Sequence, residues 1–175
     1  MIALLSIIVN RCTVIYTEFM ENLEIKSNKE FMNALLLGEM FDDFLLKEAY
    51  VKTAVTYHID GLINREFYDN DEDVIVTEEP YDYEAFSRLR QVITGLIKGK
   101  HTPVYMKLTL YLKPDMALKL LGGEANALVD YLIINISFAN NHVNVTTGIA
   151  YREFTLDKET DRIWDKYVSE LLTDM

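Results

Sequence analysis

The sequence has one cysteine (Cys12), three prolines and seven glycines among 175 residues. A single cysteine excludes an internal disulfide framework and any site built from several thiolates, such as a structural zinc site. The scarcity of proline and glycine, together with 50% hydrophobic residues, excludes collagen-like, low-complexity and disordered chains. A chain of this length is therefore expected to form one globular unit whose core needs no metal or disulfide.

Basic residues are also scarce. The chain has 17 lysines and arginines against 28 aspartates and glutamates, for a formal net charge of −11, which on average repels phosphate backbones and anionic lipids. The apolar run at residues 2–9 is far below the ~20 residues that span a bilayer. Neither a positively charged start nor a small-x-small cleavage site accompanies that run. We therefore predict no membrane contact and a cytoplasmic location.

Residues 1–19 have two interpretations. The stretch is rich in isoleucine, valine, threonine and tyrosine, which is typical of an additional β-strand. Ordinary globular composition begins only at Met20, which favours an extension upstream of the true start of the protein. We favour the second interpretation and predict an N-terminal extension at 1–19 followed by a single α+β domain at 20–175.

Capping signals predict the helices. Ser27 and Glu30 have the spacing of a capping box, apolar residues follow at helical spacing, and Gly38 stands where a left-handed C-cap would fall. A helix is therefore predicted over 28–37. Three further helices are predicted: one that Asp82 caps and Gly99 ends, a short one from Pro114 to Gly122, and a final amphipathic one capped by Asp157.

Alternation of polar and apolar residues predicts the strands. Residues 44–60 alternate over a run so long that a bend or bulge is expected, and Asp60-Gly61 is a turn signal for a returning strand over 62–68. The other predicted strands are 74–77, 104–112, 131–138 and 143–150, the last two joined by a turn at Asn140-Asn141. Strands joined by tight turns, with helices at both ends and between them, indicate an α+β fold with a mostly antiparallel sheet and helices packed on one face.

Residues 66–84 contain nine acidic residues and no basic one. Within them, Asp69-x-Asp71-x-Asp73 matches the first half of an EF-hand calcium loop. The sixth position of such a loop should be glycine and is Val74, and the twelfth should be glutamate and is Pro80. We interpret the segment as a solvated acidic loop.

The strongest catalytic candidates are His58 and Asp60, which would share the polar face of one strand and allow the imidazole to act as a general base. No recognisable nucleophile motif accompanies them. The other two histidines, His101 and His142, are scattered, so no metal site is predicted. The phosphate-binding glycine motifs are missing as well. We predict no metal and no cofactor, and we favour a protein that is not an enzyme.

Positive charge is concentrated in residues 84–113, which hold six basic residues against one acidic residue. The candidate nucleic-acid-binding residues are Arg88, Arg90, Lys98, Lys100 and Lys107. Lys107 shares its strand face with Tyr105 and Tyr111, and such a face is able to stack bases or bind a partner. The alternative, which we favour, is that these basic residues pair with the neighbouring acidic segment.

Four segments carry a resemblance to known proteins: EFMNALLLGEMFDDFLLKEAYV, HIDGLINREFY, LIKGKHTPVYMKLTLYLKP and NHVNVTTGIAYREFTLDKETDRIWDKYV. They resemble an uncharacterised bacterial domain family of unknown function, from about Leu23 to the C-terminus. The first strand of that family opens at the initiator methionine, near Met20 here, so residues 1–19 depart from its pattern. The resemblance implies no activity and transfers no functional residue.

The predicted order of elements is also similar, more loosely, to one repeat of a DNA sliding clamp. Clamps are acidic overall and line their bore with basic helices, as residues 84–113 would. A clamp ring needs several such repeats, so this chain would have to self-associate. Similarity of fold alone is a weak argument for function.

The sequence thus predicts a non-catalytic binding or interaction module. Its partner is expected to be another protein or a second copy of the chain. The first alternative is a clamp-like protein that associates with nucleic acid through its basic helix. The second is a hydrolase that uses His58 and Asp60.

Overall fold

The computed structural model describes residues 15–17, 22–67, 81–99 and 101–173. The helices of this part of the chain are α1 (Asn28–Leu37), α2 (Phe86–Ile97), α3 (Pro114–Leu121), α4 (Gly123–Leu128) and α5 (Glu159–Leu171). The strands are β1 (Ile15–Thr17), β2 (Asn22–Glu24), β3 (Phe44–Lys52), β4 (Thr56–Asp60), β5 (Tyr105–Leu112), β6 (Val129–Ala139) and β7 (His142–Tyr151).

Five strands form the body of an antiparallel sheet in the order β7-β6-β5-β3-β4. The short strands β1 and β2 both pair with β7, on the side away from β6. All pairs among these seven strands are antiparallel. The predicted α+β fold with a mostly antiparallel sheet is confirmed.

The main core lies between one face of this sheet and the helices. Its largest fully buried side chains come from both layers, and they include Phe31, Phe44, Phe86, Met106 and Trp164. Along β5, alternate residues enter this core. Helices therefore cover one face of the sheet, as predicted from the one-sided strands.

Local signals place α1 and the β6–β7 hairpin where they were predicted. The Ser27 hydroxyl accepts a hydrogen bond from the Glu30 N–H at 3.4 Å, so Ser27 is the N-cap of α1 as predicted. Gly38 ends that helix, but with φ −88° rather than the left-handed conformation that was expected. Asn140 and Asn141 adopt positive φ values of 51° and 61°, which few residues other than asparagine and glycine tolerate. That pair forms the predicted turn.

The predicted turn at Asp60-Gly61 is wrong. The run over 44–60 reverses earlier, at residues 53–55, where the Thr53 N–H donates to the Val55 carbonyl at 2.9 Å. The expected bend or bulge is present as a shift in the register of β3 against β5, between Leu46 and Glu48. The described part of the predicted returning strand, residues 62–67, is not a strand: Leu62 makes a single bridge to Tyr83, and Arg65–Phe67 form a 3-10 turn.

Two predicted helix caps are also shifted, and one helix was missed. Asp82 lies ahead of α2, whose N-cap is Ala85, and it pairs with Arg65 at 3.4 Å instead. The Asp157 carboxylate accepts from the Glu159 N–H at 3.0 Å, just before α5. The short helix α4 begins at Gly123, in a stretch before β6 for which no element was predicted.

Part of the N-terminal stretch joins the sheet. Residues 15–17 pair with Ile149–Tyr151, and residues 22–24 pair with residues 144–146. The start at Met20 stays a prediction. The predicted strand at 74–77, the calcium-loop residues 69–80 and Lys100 lie outside the described residues.

Buried polar contacts attach α5 to β7. The Thr147 hydroxyl donates to the Asp165 Oδ1 at 2.6 Å, and the Tyr151 hydroxyl donates to the Asp161 Oδ2 at 2.9 Å. Burial raises the pKa of Asp165, and the nearby charge of Asp161 adds to the increase. Burial, reinforced by the hydrogen bond to Asp161, also raises the pKa of Tyr151.

We expect Asp165→Asn to raise the melting temperature at neutral pH. A carboxyl group whose pKa is raised by folding stabilises the folded state below its ordinary pKa of about 3.9, and this contribution is lost as the pH rises through the folded pKa. The amide removes the buried charge and keeps an acceptor for Thr147, so the gain should vanish below about pH 3.9. Glu153→Gln, at an exposed position, is the control for net charge. Melting curves recorded at neutral pH and below about pH 3.9 test this prediction. An equal rise in melting temperature for Asp165→Asn and Glu153→Gln at neutral pH would contradict it.

Candidate binding surface

The face of the sheet opposite the helices carries polar and aromatic side chains. We call this surface the open face; its members are Glu48, Tyr50, Lys52, His58, Asp60, Tyr105, Lys107, Thr109, Asn135 and Ser137. The alternation along β5 produces it, because Met106 and Leu108 enter the core and Lys107 and Thr109 must then point the other way. The predicted polar face of β5 is confirmed.

The strand register places Glu48 at the centre of a polar network. Its Oε2 lies 3.7 Å from the His58 Nε2, and its Oε1 lies 3.6 Å from the Lys107 Nζ. The Thr109 hydroxyl donates to the Asn135 Oδ1 at 3.0 Å and lies 3.5 Å from the Glu48 Oε1. The Glu48 carboxylate thus contacts side chains of both neighbouring strands, β4 and β5, and Thr109 extends the network to Asn135 on β6.

Aromatic rings flank this network. The ring of Tyr50 lies 6.1 Å from the His58 ring and 6.3 Å from the Tyr105 ring, measured between centroids. Tyr50 is 41% exposed. The open face therefore combines accessible aromatic surface with hydrogen-bonding groups held in place.

The far end of this sheet face is covered. Tyr83, from the segment before α2, contacts Tyr111 and Tyr131 with centroid distances of 5.3 and 5.9 Å. Burial raises the pKa of Tyr131 to about 12. Tyr111 does share its face with Lys107, as predicted, but it is only 4% exposed and is not accessible to a partner.

His58 and Asp60 make separate contacts. Asp60 turns back along its own chain, and its Oδ1 accepts from the Leu62 N–H at 3.0 Å. The carboxylate beside His58 is Glu48, on the neighbouring strand. His101 and His142 are exposed elsewhere. Among the described residues, no group of three histidine, cysteine, aspartate or glutamate side chains has the arrangement of a metal site.

The basic residues of α2 are engaged in the helix layer. Arg88 lies 3.3 Å from the Glu84 carboxylate, a partner from the acidic segment as predicted. Arg90 pairs with Asp42, which lies outside that segment, and its guanidinium carbon lies 5.4 Å from the centre of the Phe86 ring. Burial lowers the pKa of Arg90.

The other basic candidates lie apart from these two. Lys98 is exposed at the C-terminal end of α2, while Lys107 lies on the open face, on the opposite side of the sheet. Lys100 lies outside the described residues. The structure therefore does not gather the described members of the predicted set into one patch.

Shallow concavities occur on the helix side. Two of about 560 and 530 Å³ are lined by residues at the start of α5, and one of about 450 Å³ lies between α1 and α2. None of these three is lined by Glu48 or His58. In the described ranges, no helix has the length and apolar character needed to cross a membrane.

Comparisons with known proteins identify a family but no protein of known function. No curated protein and no solved structure matches the chain, so no structural neighbour supports a likeness to a sliding clamp. A protein-family comparison matches residues 34–175 to DUF5721, described as a family of unknown function. The match contains all of β3 to β7 and therefore the whole open face. The predicted resemblance to a family of unknown function is confirmed, and the chain belongs to DUF5721.

Proposed function

We propose that this DUF5721 member is a non-catalytic cytoplasmic module that binds a protein partner through the open face. The observation that carries the proposal concerns the described residues: helices cover one face of the sheet, and of the other face the end near Tyr83 is covered. Helices bury one face, while the other presents Tyr50 and Tyr105 beside a polar network centred on Glu48. Tyrosine is enriched at the energetic centres of protein interfaces.

Three features argue against catalysis at His58. Its side chain is 57% exposed, its carboxylate partner is 3.7 Å away and itself 38% exposed, and His58 lines none of the three concavities described above. A general base acts on a substrate held within hydrogen-bond reach, usually in a cleft that excludes water. The Glu48–His58 contact is better suited to fixing the shape of a binding surface.

The charge of the open face favours a protein over nucleic acid. Lys107 is paired with Glu48, and the other charged members of the open face are one of each sign, Lys52 and Asp60. Arg88 and Arg90 of α2 have carboxylate partners in the helix layer. Nucleic-acid backbones are bound by lysines and arginines that displace the counterions condensed on the phosphates. The mixed charges here suit the polar rim of a protein interface instead.

Affinity capture with a matched pair of variants tests the proposal. We expect proteins retained from cell extract by the wild type to be lost with Tyr50→Ser/Tyr105→Ser, because removing an aromatic anchor from the centre of an interface costs more than about 1 kcal/mol. Val92→Ser is the control, since Val92 is 53% exposed on α2. Thermal melts confirm that each variant is folded. If the wild type, Tyr50→Ser/Tyr105→Ser and Val92→Ser captured the same proteins equally well, the open face would not be the binding surface.

A titration with single-stranded DNA tests the nucleic-acid alternative. We expect no complex even at low salt. Binding that weakens steeply as salt is added, and that is lost in Tyr50→Ser/Tyr105→Ser, would assign the open face to nucleic acid and overturn the protein partner.

A further inference from the structure

Strand β4 forms one edge of the sheet in the part of the chain that the structure describes. It ends the strand order within the described ranges, and four of its five residues are exposed. Edge strands in natural proteins are usually blunted by lysine, proline or a bulge. Residues 56–60 read Thr-Tyr-His-Ile-Asp, with neither lysine nor proline, and β4 pairs with β3 in continuous register. Such an edge is a template for another strand.

Hydrogen bonds next to β4 show which backbone groups face outward. The Gly61 N–H donates to the Lys47 carbonyl at 3.1 Å, and the Ile63 N–H donates to the Asp82 carbonyl at 2.9 Å, both toward the inside of the sheet. Alternate residues of an antiparallel strand direct their backbone groups to opposite sides. The backbone groups of His58 and Asp60 therefore face the outer edge.

Exposed apolar side chains border the same edge. Val55, Tyr57 and Leu62 are 55%, 37% and 56% exposed. Val55 precedes β4, Tyr57 lies within it and Leu62 follows it. A strand added to β4 would therefore cover apolar surface as well as satisfy backbone groups.

We propose that β4 pairs antiparallel with β4 of a second copy of this chain, with Ile59 opposite the same residue of the partner copy. In that register, His58 of each copy lies opposite Asp60 of the other, which gives two imidazole–carboxylate pairs about a two-fold axis. Placing the two His58 residues opposite each other would lose both pairs. Charge complementarity thus selects one self-complementary register.

The association would join two sheets into one. The open faces of both copies would lie side by side, whatever partner those faces bind, so the proposal does not depend on the proposed function. The paired segment is short compared with the interfaces of stable dimers, which bury about 1,200–2,000 Å². We therefore expect a dimer that forms at micromolar concentration and dissociates on dilution.

Sedimentation equilibrium of the full chain at mildly acidic pH tests the proposal. We expect a monomer–dimer equilibrium that His58→Asp weakens about tenfold, because each cross-strand pair becomes a like-charge contact. The exchange His58→Asp/Asp60→His should restore dimerisation. Val92→Asp places the same charge on α2 and should have no effect.

Three outcomes would overturn the pairing. The chain could remain monomeric at submillimolar concentration, the dimer could be insensitive to His58→Asp, or the exchanged variant could fail to recover. Far-ultraviolet circular dichroism of every variant confirms folding, which is expected because the His58 side chain is 57% exposed.

Discussion

Replacing Gly61 by alanine is expected to lower the free energy of unfolding by more than about 3 kcal/mol, a large part of the 5–15 kcal/mol that stabilises a typical domain. A Cβ at this position would overlap the carbonyl oxygen of Leu46 and lie 2.7 Å from its carbonyl carbon. Neither backbone can move away easily. The Gly61 N–H donates to the Lys47 carbonyl, and its carbonyl accepts from the Glu84 N–H at 2.8 Å.

Gly95→Ala is the matched control. Gly95 lies in α2, is exposed, and a Cβ there would have no described atom within 4 Å. Alanine is favoured over glycine inside a helix by about 0.5–1 kcal/mol, so this variant should be more stable than the wild type. Urea unfolding of both variants and the wild type measures the differences in the free energy of unfolding. A Gly61→Ala protein within about 1 kcal/mol of the wild type would show that the close approach to Leu46 is not required.

Replacing Trp164 by alanine should cost about 3–5 kcal/mol. Trp164 is fully buried on α5, and its ring lies 6.5 Å from the Phe44 ring and stacks on Tyr167 at 5.6 Å. Its Nε1–H donates to the Ile133 carbonyl at 3.1 Å, which joins α5 to β6. Alanine removes the ring contacts and the hydrogen bond together and leaves a cavity at the centre of the core.

Trp164→Phe separates the two contributions. Phenylalanine keeps much of the apolar ring but cannot donate a hydrogen bond to the Ile133 carbonyl, so the expected loss is smaller than that of alanine, at roughly 1–3 kcal/mol. Equilibrium urea unfolding, followed by circular dichroism because the tryptophan signal is removed, measures both losses. If alanine and phenylalanine were equally destabilising, ring packing would contribute little and the hydrogen bond to Ile133 would account for the whole effect.

Several elements were predictable because their signals are local. The Ser27 N-cap begins α1, an asparagine pair reverses the chain between β6 and β7, and strict alternation marks β5. Each signal acts within a few residues along the chain, through a side-chain cap, a permitted positive φ or the two-residue repeat of a strand. These elements form where the sequence places them.

The prediction of a turn at Asp60-Gly61 was wrong because the glycine has another role. The glycine is needed where the chain passes closely over Leu46, and reversal occurs instead at residues 53–55. In a sequence, a glycine required for close approach and a glycine required for a turn are identical. Only the position of β3 in space distinguishes them.

The candidate surface was partly predictable. Alternation placed Lys107 and Tyr105 on a polar strand face, and that is where they lie. The partner of His58 was missed, because Glu48 reaches it only through the pairing of β3 with β4. Tyr83, from the segment before α2, covers Tyr111. The residues of β5 alone could not predict this contact, because it depends on how a distant segment packs against the strand.

The sequence by itself determined most of the helices and strands, the one-sided strand faces and the exclusion of an internal disulfide or a site with several thiolates, since these depend on residue type and short-range spacing. Tertiary structure alone decided which carboxylate meets His58, why Gly61 must be glycine, and that Arg88 and Arg90 face carboxylates rather than a shared patch with Lys107. Strand order and register bring together residues far apart in the chain, and the pairing energy that selects them is distributed over the whole sheet.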